Sequence, residues 1–346
     1  MRVLVWFLVV LVLLLGAAGY GWITIHTPFK GYSGAEKIVG IDRGDSARRI
    51  SYRMAENGVV RSAPLFYIYL RSAGKAGRMK AGDYQFTHPV TMAQVADKLY
   101  RGDVYLLRVT VPEGLIHEEI KPLFLHEGLG REEDFDQAFR DVRLIQDWDE
   151  KAQNLEGYLF PDTYLFPRQT TAAQVLEQMV KNFRKRMDSS RMERARQLNM
   201  SVRQVVTLAS LIEKETALES ERFLVSSVYH NRMKQGMVLA CDPTVIYAAR
   251  LLNRWDGVIN QSDLAIESPY NTYKYAGLPP GPIANPGVKS LDAALHPADT
   301  RYLYFVARDD HSHIFNEDFA SHQKAVADYR KMKPGLRDGG IEGRRN

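Results

Sequence analysis

The sequence predicts an α+β protein with a single N-terminal transmembrane helix. The first observation is a run of 23 uncharged residues from Val3 to Ile25. The second is an alternation of short strand and helix signals through residues 26–125. The third is helical periodicity that continues almost unbroken from Thr171 to Gln235. The predicted organisation is a cytoplasmic end at 1–2, a transmembrane helix at 3–25, a small α+β module with its connector at 26–125, a mainly helical domain with a short β-hairpin at 126–333, and a mobile basic tail at 334–346.

Composition places the chain among globular proteins. Of its 346 residues, 45% are apolar and 25% are charged, which excludes wholesale disorder, collagen and coiled coil. The 46 Lys+Arg against 41 Asp+Glu give a formal net charge of +5, which is compatible with an anionic polymer or a membrane surface as partner. Cys241 is the single cysteine, so an intramolecular disulfide and a cysteine-based zinc site are both excluded.

The N-terminal apolar run is long enough to cross a bilayer. As a helix it measures about 35 Å, against a hydrocarbon core of about 30 Å. A cleaved signal peptide is the alternative, and Gly16–Gly19 offers the small residues of a cleavage site. The apolar run continues past them, however, and Tyr20 and Trp22 suit an aromatic interface belt, which favours an uncleaved anchor. Arg2 places the N-terminus in the cytoplasm by the positive-inside rule, so the rest of the chain is expected outside the inner membrane.

Turn and capping residues divide the small module into elements. Ser46 and Thr91 each precede an amphipathic run and are predicted helix caps, and Gly102 ends the second run. The predicted strands are Glu36–Ile41, Ala81–Phe86 and Val104–Val111, and further helices are predicted at Pro64–Leu70 and His117–Leu125.

The larger region is predicted to be mainly helical. Residues 131–150 are expected to be helical, whereas the aromatic stretch 156–167 is expected to be a loop because its two prolines argue against a central strand or helix. Helices follow through residues 171–235, and Pro and Gly dominate 241–287. The predictions for the C-terminal part are a hairpin of Leu303–Ala307 with His313–Phe315 and a last helix at Asp318–Lys331.

A carboxylate inside an apolar helical stripe is the main candidate for chemistry. With Ile212 set at 0° on a helical wheel, Glu215 falls near −60°, within the apolar stripe, while Glu213 falls near +100°, at its margin. Burial raises the pKa of a carboxyl, as a general acid working near neutral pH requires. The alternative is that the helix simply ends at Glu215, which is then solvated or paired with an arginine.

Other candidates have structural interpretations that the residues alone favour. Glu156 opens an aromatic loop that could stack on sugar rings or fill a core. Asp242 and Pro243 suit an N-cap and the first position of a helix. His311 and His313 have strand spacing but no clear third metal ligand. The sequence contains no phosphate-binding P-loop, Rossmann fingerprint or nucleophilic-serine elbow.

Taken together, these stretches resemble the YceG-like family of endolytic murein transglycosylases. The resemblance extends over nearly the whole chain, with its motifs in the family's order. The matching segments are Glu156–Thr163, Leu208–Thr216, Val228–Arg232, Gly236–Leu239, Asp242–Tyr247, Tyr270–Tyr273, Gly277–Ile283, His296–Ala298, Tyr302–Val306 and Phe319–His322.

The resemblance implies an activity and a set of site residues. The family cleaves the β-1,4 bond between N-acetylmuramic acid and N-acetylglucosamine within nascent peptidoglycan strands, leaving a 1,6-anhydro end. Its catalytic glutamate corresponds to Glu215, and no metal or cofactor is implied. The substrate-binding residues expected by position in the motifs are Glu156, Asn231, Asp242, Thr244, Asn271 and Tyr273.

The resemblance also implies an architecture and partners. Residues 26–125 are expected to be a LysM-like module with its connector, and 126–333 the catalytic domain, held in the periplasm by the inner-membrane anchor. Peptidoglycan strands, membrane lipid and peptidoglycan synthases are the expected partners, and nucleic acid is not. Two alternatives remain, a non-catalytic peptidoglycan-binding scaffold and a lysozyme-like hydrolase.

Overall fold

A computed structural model describes residues 2–216, 218–308 and 312–332, so the predicted tail at 334–346 lies outside the described residues. The chain forms two compact units. The first comprises Met1–Arg108 with Leu165–Thr170, and the second comprises Val109–Tyr164 with Thr171–Asn346. The predicted division at residue 125 stays a prediction about domains.

A long apolar helix, α1 (Arg2–His26), opens the first unit and confirms the helix predicted at residues 3–25. Its segment Val5–His26 has a mean hydropathy of 2.2 and is long and apolar enough to cross a membrane. Most of its side chains are exposed, but Thr24 in the last turn is buried. That last turn contacts the body of the first unit, where Ile25 packs against the hydrophobic core.

Two antiparallel strands and three helices form the body of the first unit. In order they are β1 (Lys37–Ile41), α2 (Ala47–Glu56), α3 (Ala63–Ser72), β2 (Gly82–Phe86) and α4 (Met92–Arg101). Strands β1 and β2 pair with Val39 opposite Tyr84, and both side chains enter the core. Alternate residues of β2 are buried, as expected for a strand with one face on a core. The predicted elements of this region are therefore confirmed to within a few residues.

Local capping explains where these helices begin and end. The Ser46 and Thr91 hydroxyls accept hydrogen bonds from the backbone N–H groups of Arg49 and Gln94, as predicted for N-caps. The Gln94 side chain accepts a bond from the Thr91 backbone N–H in return, which completes a capping box. Gly102 ends α4 in the left-handed conformation at φ 76°.

The link between the units contains the main departure from the predicted elements. Strand β3 (Leu106–Thr110) pairs with β4 (Thr163–Pro167), so the last five residues of the predicted aromatic loop form a strand. This sheet has two strands, so β4 is an edge strand, the position at which proline is tolerated. Helix α5 (His117–His126) follows as predicted, with Pro122 inside it. The prediction of helix throughout 131–150 was wrong, since only α6 (Glu132–Phe139) and a 3₁₀ turn at Val142–Leu144 form.

The second unit is mainly helical, as predicted. Its further elements are α7 (Ala172–Arg186), α8 (Ser189–Gln197), α9 (Val202–Glu215), α10 (Arg222–Lys234), α11 (Asp242–Leu251), α12 (Val288–Leu295), the antiparallel hairpin of β5 (Tyr304–Ala307) with β6 (His313–Asn316), and α13 (Phe319–Met332). Helix α9 is buried from Val205 through Ile212 and contacts α8, α10, α11 and α12. It is therefore the central helix of this unit, and its last residue is Glu215.

A glycine allows the aromatic segment to pass close to α9. Gly157 has φ 87°, and a Cβ there would lie 2.4 Å from Pro282 and 2.9 Å from the Cγ1 of Val206. We expect Gly157→Ala to lower the free energy of unfolding by about 3 kcal/mol, because left-handed strain adds to a clash in a packed site. Gly128 has φ 74° with open space around its Cβ position, so Gly128→Ala should cost only about 1 kcal/mol. Urea unfolding of both variants measures the difference, and equal losses would contradict it.

Candidate active site

Helix α9 carries Glu215 to the centre of the candidate site. The helix begins with a capping box between Ser201 and Gln204 and ends at Glu215 itself, with Thr216 in extended conformation. Leu208 and Ile212 are fully buried, as the apolar stripe predicted. The expectation that the helix ends at Glu215 is thus correct, and the side chain is partly buried rather than freely solvated.

The Glu215 carboxyl has neighbours that favour its protonated form near neutrality. Burial, and then the negative charge of Asp242, raise its pKa to about 7. The Cys241 thiol donates a hydrogen bond to Oε2 at 3.3 Å, which acts in the opposite direction. Tyr229 is 1% exposed, and its hydroxyl also lowers the pKa of Glu215. This hydroxyl forms no hydrogen bond of normal geometry with a described group.

Glu213 has a different environment two residues earlier on the same helix. Its Oε1 lies 3.2 Å from Nη2 of Arg222, and the side chains are 6% and 8% exposed. The backbone N–H of Gly287 donates to its Oε2 at 3.0 Å. The ion pair and the backbone hydrogen bond tie Glu213 to α10 and to the residue before α12. Glu213 therefore fixes the packing of α9 against neighbouring segments.

The segment before α11 presents Cys241 and Asp242 to Glu215. Ala240 has φ 46°, an unusual conformation for a residue with a side chain, and its N–H donates to the carbonyl of Thr272 at 2.9 Å. The prediction that Asp242 is the N-cap of α11 was wrong by one residue. Cys241 is the extended cap residue and Asp242 is already helical. The Asp242 carboxyl is thereby free to accept the hydrogen bond that the Tyr273 hydroxyl donates to it.

A buried hydroxyl pair anchors this segment to the loop that contains Tyr273. Thr244 Oγ1 donates to the carbonyl of Cys241 at 2.7 Å and lies 2.9 Å from Oγ1 of Thr272. Thr272 in turn accepts the Cys241 N–H at 3.0 Å. Thr272 was not nominated from the sequence, although it lies between two residues that were. Its position inside the Tyr270–Tyr273 motif is the signal that could have identified it.

The two nominated asparagines hold loops in place. Asn271 is fully buried, and its amide donates to the carbonyls of Leu264 and Ile266 at 3.0 and 2.9 Å. Asn231 donates to the carbonyls of Thr300 and Tyr302 at 2.9 and 3.0 Å, which fixes the approach to β5. Both side chains satisfy backbone groups that no regular element pairs, so they fix the loops that contain those groups.

The structure does not bring Glu156 into contact with Glu215. Its oxygens accept hydrogen bonds from the backbone N–H of His117 at 3.3 Å and the side-chain amide of Asn285 at 2.7 Å. Glu156 is 3% exposed and borders a cavity of about 180 Å³ that the ion pair of Arg203 and Asp149 also lines. Burial raises the pKa of Glu156 to about 8, against the effect of its two hydrogen bonds.

Within the described residues, no group of three or more His, Cys, Asp or Glu side chains is arranged to hold a metal ion. The weak metal candidate of the sequence included His311, which lies outside the described residues. His313 pairs instead with Glu221, with 2.6 Å between Nδ1 and Oε2. The groups next to the Glu215 carboxyl are the Cys241 thiol and the Asp242 carboxyl.

The burial of Glu156 makes stability depend on pH. Its folded carboxyl keeps a proton up to about pH 8, whereas the unfolded one loses it near its ordinary value of 4.5. The folded state binds more protons between these values, so wild-type stability falls as the pH rises through this window. We expect Glu156→Gln to gain on the order of 3 kcal/mol relative to wild type between pH 5 and pH 9. Denaturant unfolding at both values tests this, and a pH-independent difference would contradict it.

The thiol of Cys241 is expected to tune Glu215. Removing the donor in Cys241→Ala should raise the pKa of Glu215 further above about 7, because the charged carboxylate loses a hydrogen bond. Cys241→Ser keeps a donor and is the matched control, with a value close to wild type. Carbon-13 NMR titration of labelled glutamate measures both, and Glu215→Gln assigns the resonance. A lower pKa in the alanine variant would contradict the expectation.

Comparison with known proteins identifies the family. The YceG-like family model matches residues 39–328. The endolytic murein transglycosylase of Bacillus subtilis strain 168 is 33% identical over 311 residues, which cover 85% of each chain. The endolytic murein transglycosylase of Streptococcus pneumoniae strain D39 is 26% identical over 94% of this chain. The match covers 65% of the length of the Streptococcus protein. A crystal structure of a yceG-like protein from Listeria monocytogenes is 30% identical, with a TM-score of 0.58 over 84% of this chain and 99% of the other. The chain belongs to the YceG-like family.

Proposed function

We propose that this protein is an endolytic murein transglycosylase that cleaves peptidoglycan strands with Glu215 as its catalytic residue. The observation that carries the proposal is the environment of that carboxyl. It lies at the end of a buried helix, it has no ion pair among the described residues, and its pKa is raised to about 7. Two related proteins carry the name endolytic murein transglycosylase, and the chain covers 85% of the first of them.

The first step of the proposed reaction breaks the glycosidic bond. Protonated Glu215 donates its proton to the oxygen that joins C1 of N-acetylmuramic acid to C4 of N-acetylglucosamine. The C1–O bond breaks as positive charge develops at C1, and the N-acetylglucosamine portion leaves with a 4-hydroxyl. A carboxyl with a pKa near 7 suits this role because it is still substantially protonated at neutral pH.

The second step closes a ring within the sugar. The Glu215 carboxylate removes the proton from the C6 hydroxyl of the same muramic acid, and O6 forms a bond to C1. The product has a 1,6-anhydro end, Glu215 regains its proton, and no water is consumed. Because the substrate supplies its own nucleophile, the second carboxylate that glycoside hydrolases use is not required. The absence of a contact between Glu156 and Glu215 is compatible with this scheme.

The other site residues divide by their exposure. Asp242 and Tyr273 are partly exposed next to Glu215, and we propose that their paired carboxyl and hydroxyl bind sugar hydroxyl groups. Thr244 and Asn271 are fully buried, so they act as positioning residues that hold this pair in place. Asn231 positions the segment before β5, and Glu156 orients the substrate through the aromatic segment around it.

The proposed location follows from α1 and from the order of the elements. Helix α1 anchors the protein in the inner membrane, with residues 1–2 in the cytoplasm and the catalytic domain in the periplasm. The antiparallel pair β1–β2 with α2 and α3 between its strands supports a LysM-like, glycan-binding role for residues 36–106 within the 26–125 region. Cleavage of nascent strands at the membrane would end their elongation, next to peptidoglycan synthases.

A product assay tests the catalytic role. We expect Glu215→Gln to lose about 10²- to 10⁴-fold in the rate of strand cleavage, because the amide cannot transfer a proton. Glu219→Gln is the matched control, since Glu219 lies nearby in sequence, is exposed and forms an ion pair with Lys289. Its rate should equal that of wild type. Purified glycan strands are incubated with each protein and the ends are analysed by mass spectrometry.

The same assay separates the alternatives. Anhydro ends from wild type and none from Glu215→Gln are the expected result. Products that have gained one water at a reducing end would identify a lysozyme-like hydrolase instead. No cleavage by either protein, with strands still bound, would identify a non-catalytic scaffold. Equal yields of anhydro product from both proteins would overturn the assignment of Glu215.

A further inference from the structure

The charge of the chain is divided unequally between its two units. The first unit contains 16 Lys+Arg and 7 Asp+Glu, so its formal net charge is +9. The rest of the chain contains 30 and 34, so its net charge is −4. The total of +5 therefore hides a strongly basic unit, and that unit is the one that contains α1.

Four of these 16 cations lie in one short segment without an acidic residue. Residues 71–80, which run from the end of α3 towards β2, contain Arg71, Lys75, Arg78 and Lys80 and no acidic residue. We name residues 71–80 the basic connector. Lys75 pairs with Asp97, and Nζ of Lys80 donates to the carbonyl of Arg101 at 2.8 Å. Arg71 and Arg78 are exposed, with no ion pair to a described residue.

The end of α1 locates α3, which leads into the basic connector, relative to a membrane. About 20 residues cross the hydrocarbon core, so in the segment Val5–His26 the turn from Gly21 to Ile25 lies at the outer interface. The Cδ1 of Leu65 in α3 lies 3.7 Å from the Cβ position of Gly21. Helix α3 therefore meets α1 at the level of the lipid headgroups.

Helix α3 runs antiparallel to α1, so its C-terminal end points back towards the membrane. The guanidinium of Arg61, just before α3, lies 5.0 Å from the ring of Phe29, three residues beyond α1. Four residues later, Leu65 has reached Gly21, so α3 runs back against the direction of α1. Ile68 and Arg71 follow within about 9 Å along the helix. Ile68 is 61% exposed, so its apolar side chain is available to a surface one turn beyond Leu65.

From these observations we propose that Ile68 and the basic connector dock on the membrane surface. Ile68 enters the boundary between headgroups and acyl chains, and the long side chains of Arg71 and Arg78 carry their guanidinium groups back to the phosphates of anionic phospholipids. An exposed apolar side chain flanked by cations is the arrangement by which interfacial segments bind such lipids. This inference rests on the proposed membrane anchor, and it gives the first unit a second, lipid-dependent attachment.

The apolar part is tested by fluorescence of the full chain in nanodiscs. Ile68→Trp and the matched control Tyr52→Trp, at another exposed position of the first unit, are compared in discs with and without brominated acyl chains. The tryptophan signal of each variant is its fluorescence minus that of wild type. Bromine should quench the signal of Ile68→Trp but not the signal of Tyr52→Trp. Trp6 and Trp22 report on α1 itself. Quenching of these two without quenching at 68 would overturn docking while leaving the anchor, and no quenching at any of them would overturn both.

The charged part is tested by hydrogen exchange of the basic connector. In wild type, exchange at residues 71–80 should be slower in discs that contain phosphatidylglycerol than in phosphatidylcholine discs. Arg71→Gln with Arg78→Gln should lose this protection, by about fivefold for each cation removed. Arg43→Gln with Arg48→Gln, two exposed cations elsewhere in the unit, should retain it. Equal exchange in both lipids, or protection that appears only when glycan strands are added, would overturn the proposal.

Discussion

The second unit depends on how α9 ends. A helix buried along most of its length brings two carboxyl groups, those of Glu213 and Glu215, out of water within one turn. Burial of an unpaired charge is costly, so each carboxyl needs either a cation or a proton. Arg222 supplies the cation for Glu213, and its Nη1 also donates to Ser290 in α12 at 3.0 Å. Glu215 has no such cation partner among the described residues, and burial raises its pKa to about 7.

The surrounding loops follow from the same requirement. The hydrogen-bond donor to Glu215 is the neutral thiol of Cys241. Cys241 lies in the irregular segment between α10 and α11. Cys241 is placed by the left-handed residue before it and by the hydroxyls of Thr244 and Thr272. Asp242 adds a negative charge that opposes ionisation of Glu215. The Pro- and Gly-rich composition of residues 241–287 is the consequence, because such loops must hold fixed shapes without a ladder of backbone bonds.

Most elements of the first unit were predictable because their signals are local. Ser46 and Thr91 begin helices and Gly102 ends one, and these capping signals do not depend on distant parts of the chain. Strand β4 was not predictable, since its prolines indicated a loop and only pairing with β3 decides otherwise. The helical wheel separated Glu215 from Glu213 by direction alone. It placed Glu213 at the margin of the stripe, but Arg222, nine residues away in sequence, buries that side chain. The roles of Cys241 and Tyr229 depend on three segments meeting, and no periodicity contains that information.

Arg232 lies close enough to Glu215 to lower its pKa but does not form an ion pair with it. Its charge lowers the pKa of Glu215, so a direct ion pair would hold the carboxyl ionised and remove the acid. The guanidinium instead donates hydrogen bonds to the carbonyls of Leu239 and Leu303, at 2.6 Å each. It also lies over the ring of Tyr304, 5.3 Å from the ring centroid. The same arginine thus stabilises the strand hairpin while it is kept from neutralising the acid. A protein that pairs one carboxyl and withholds a cation from its neighbour keeps both the stability of its central helix and a proton to donate.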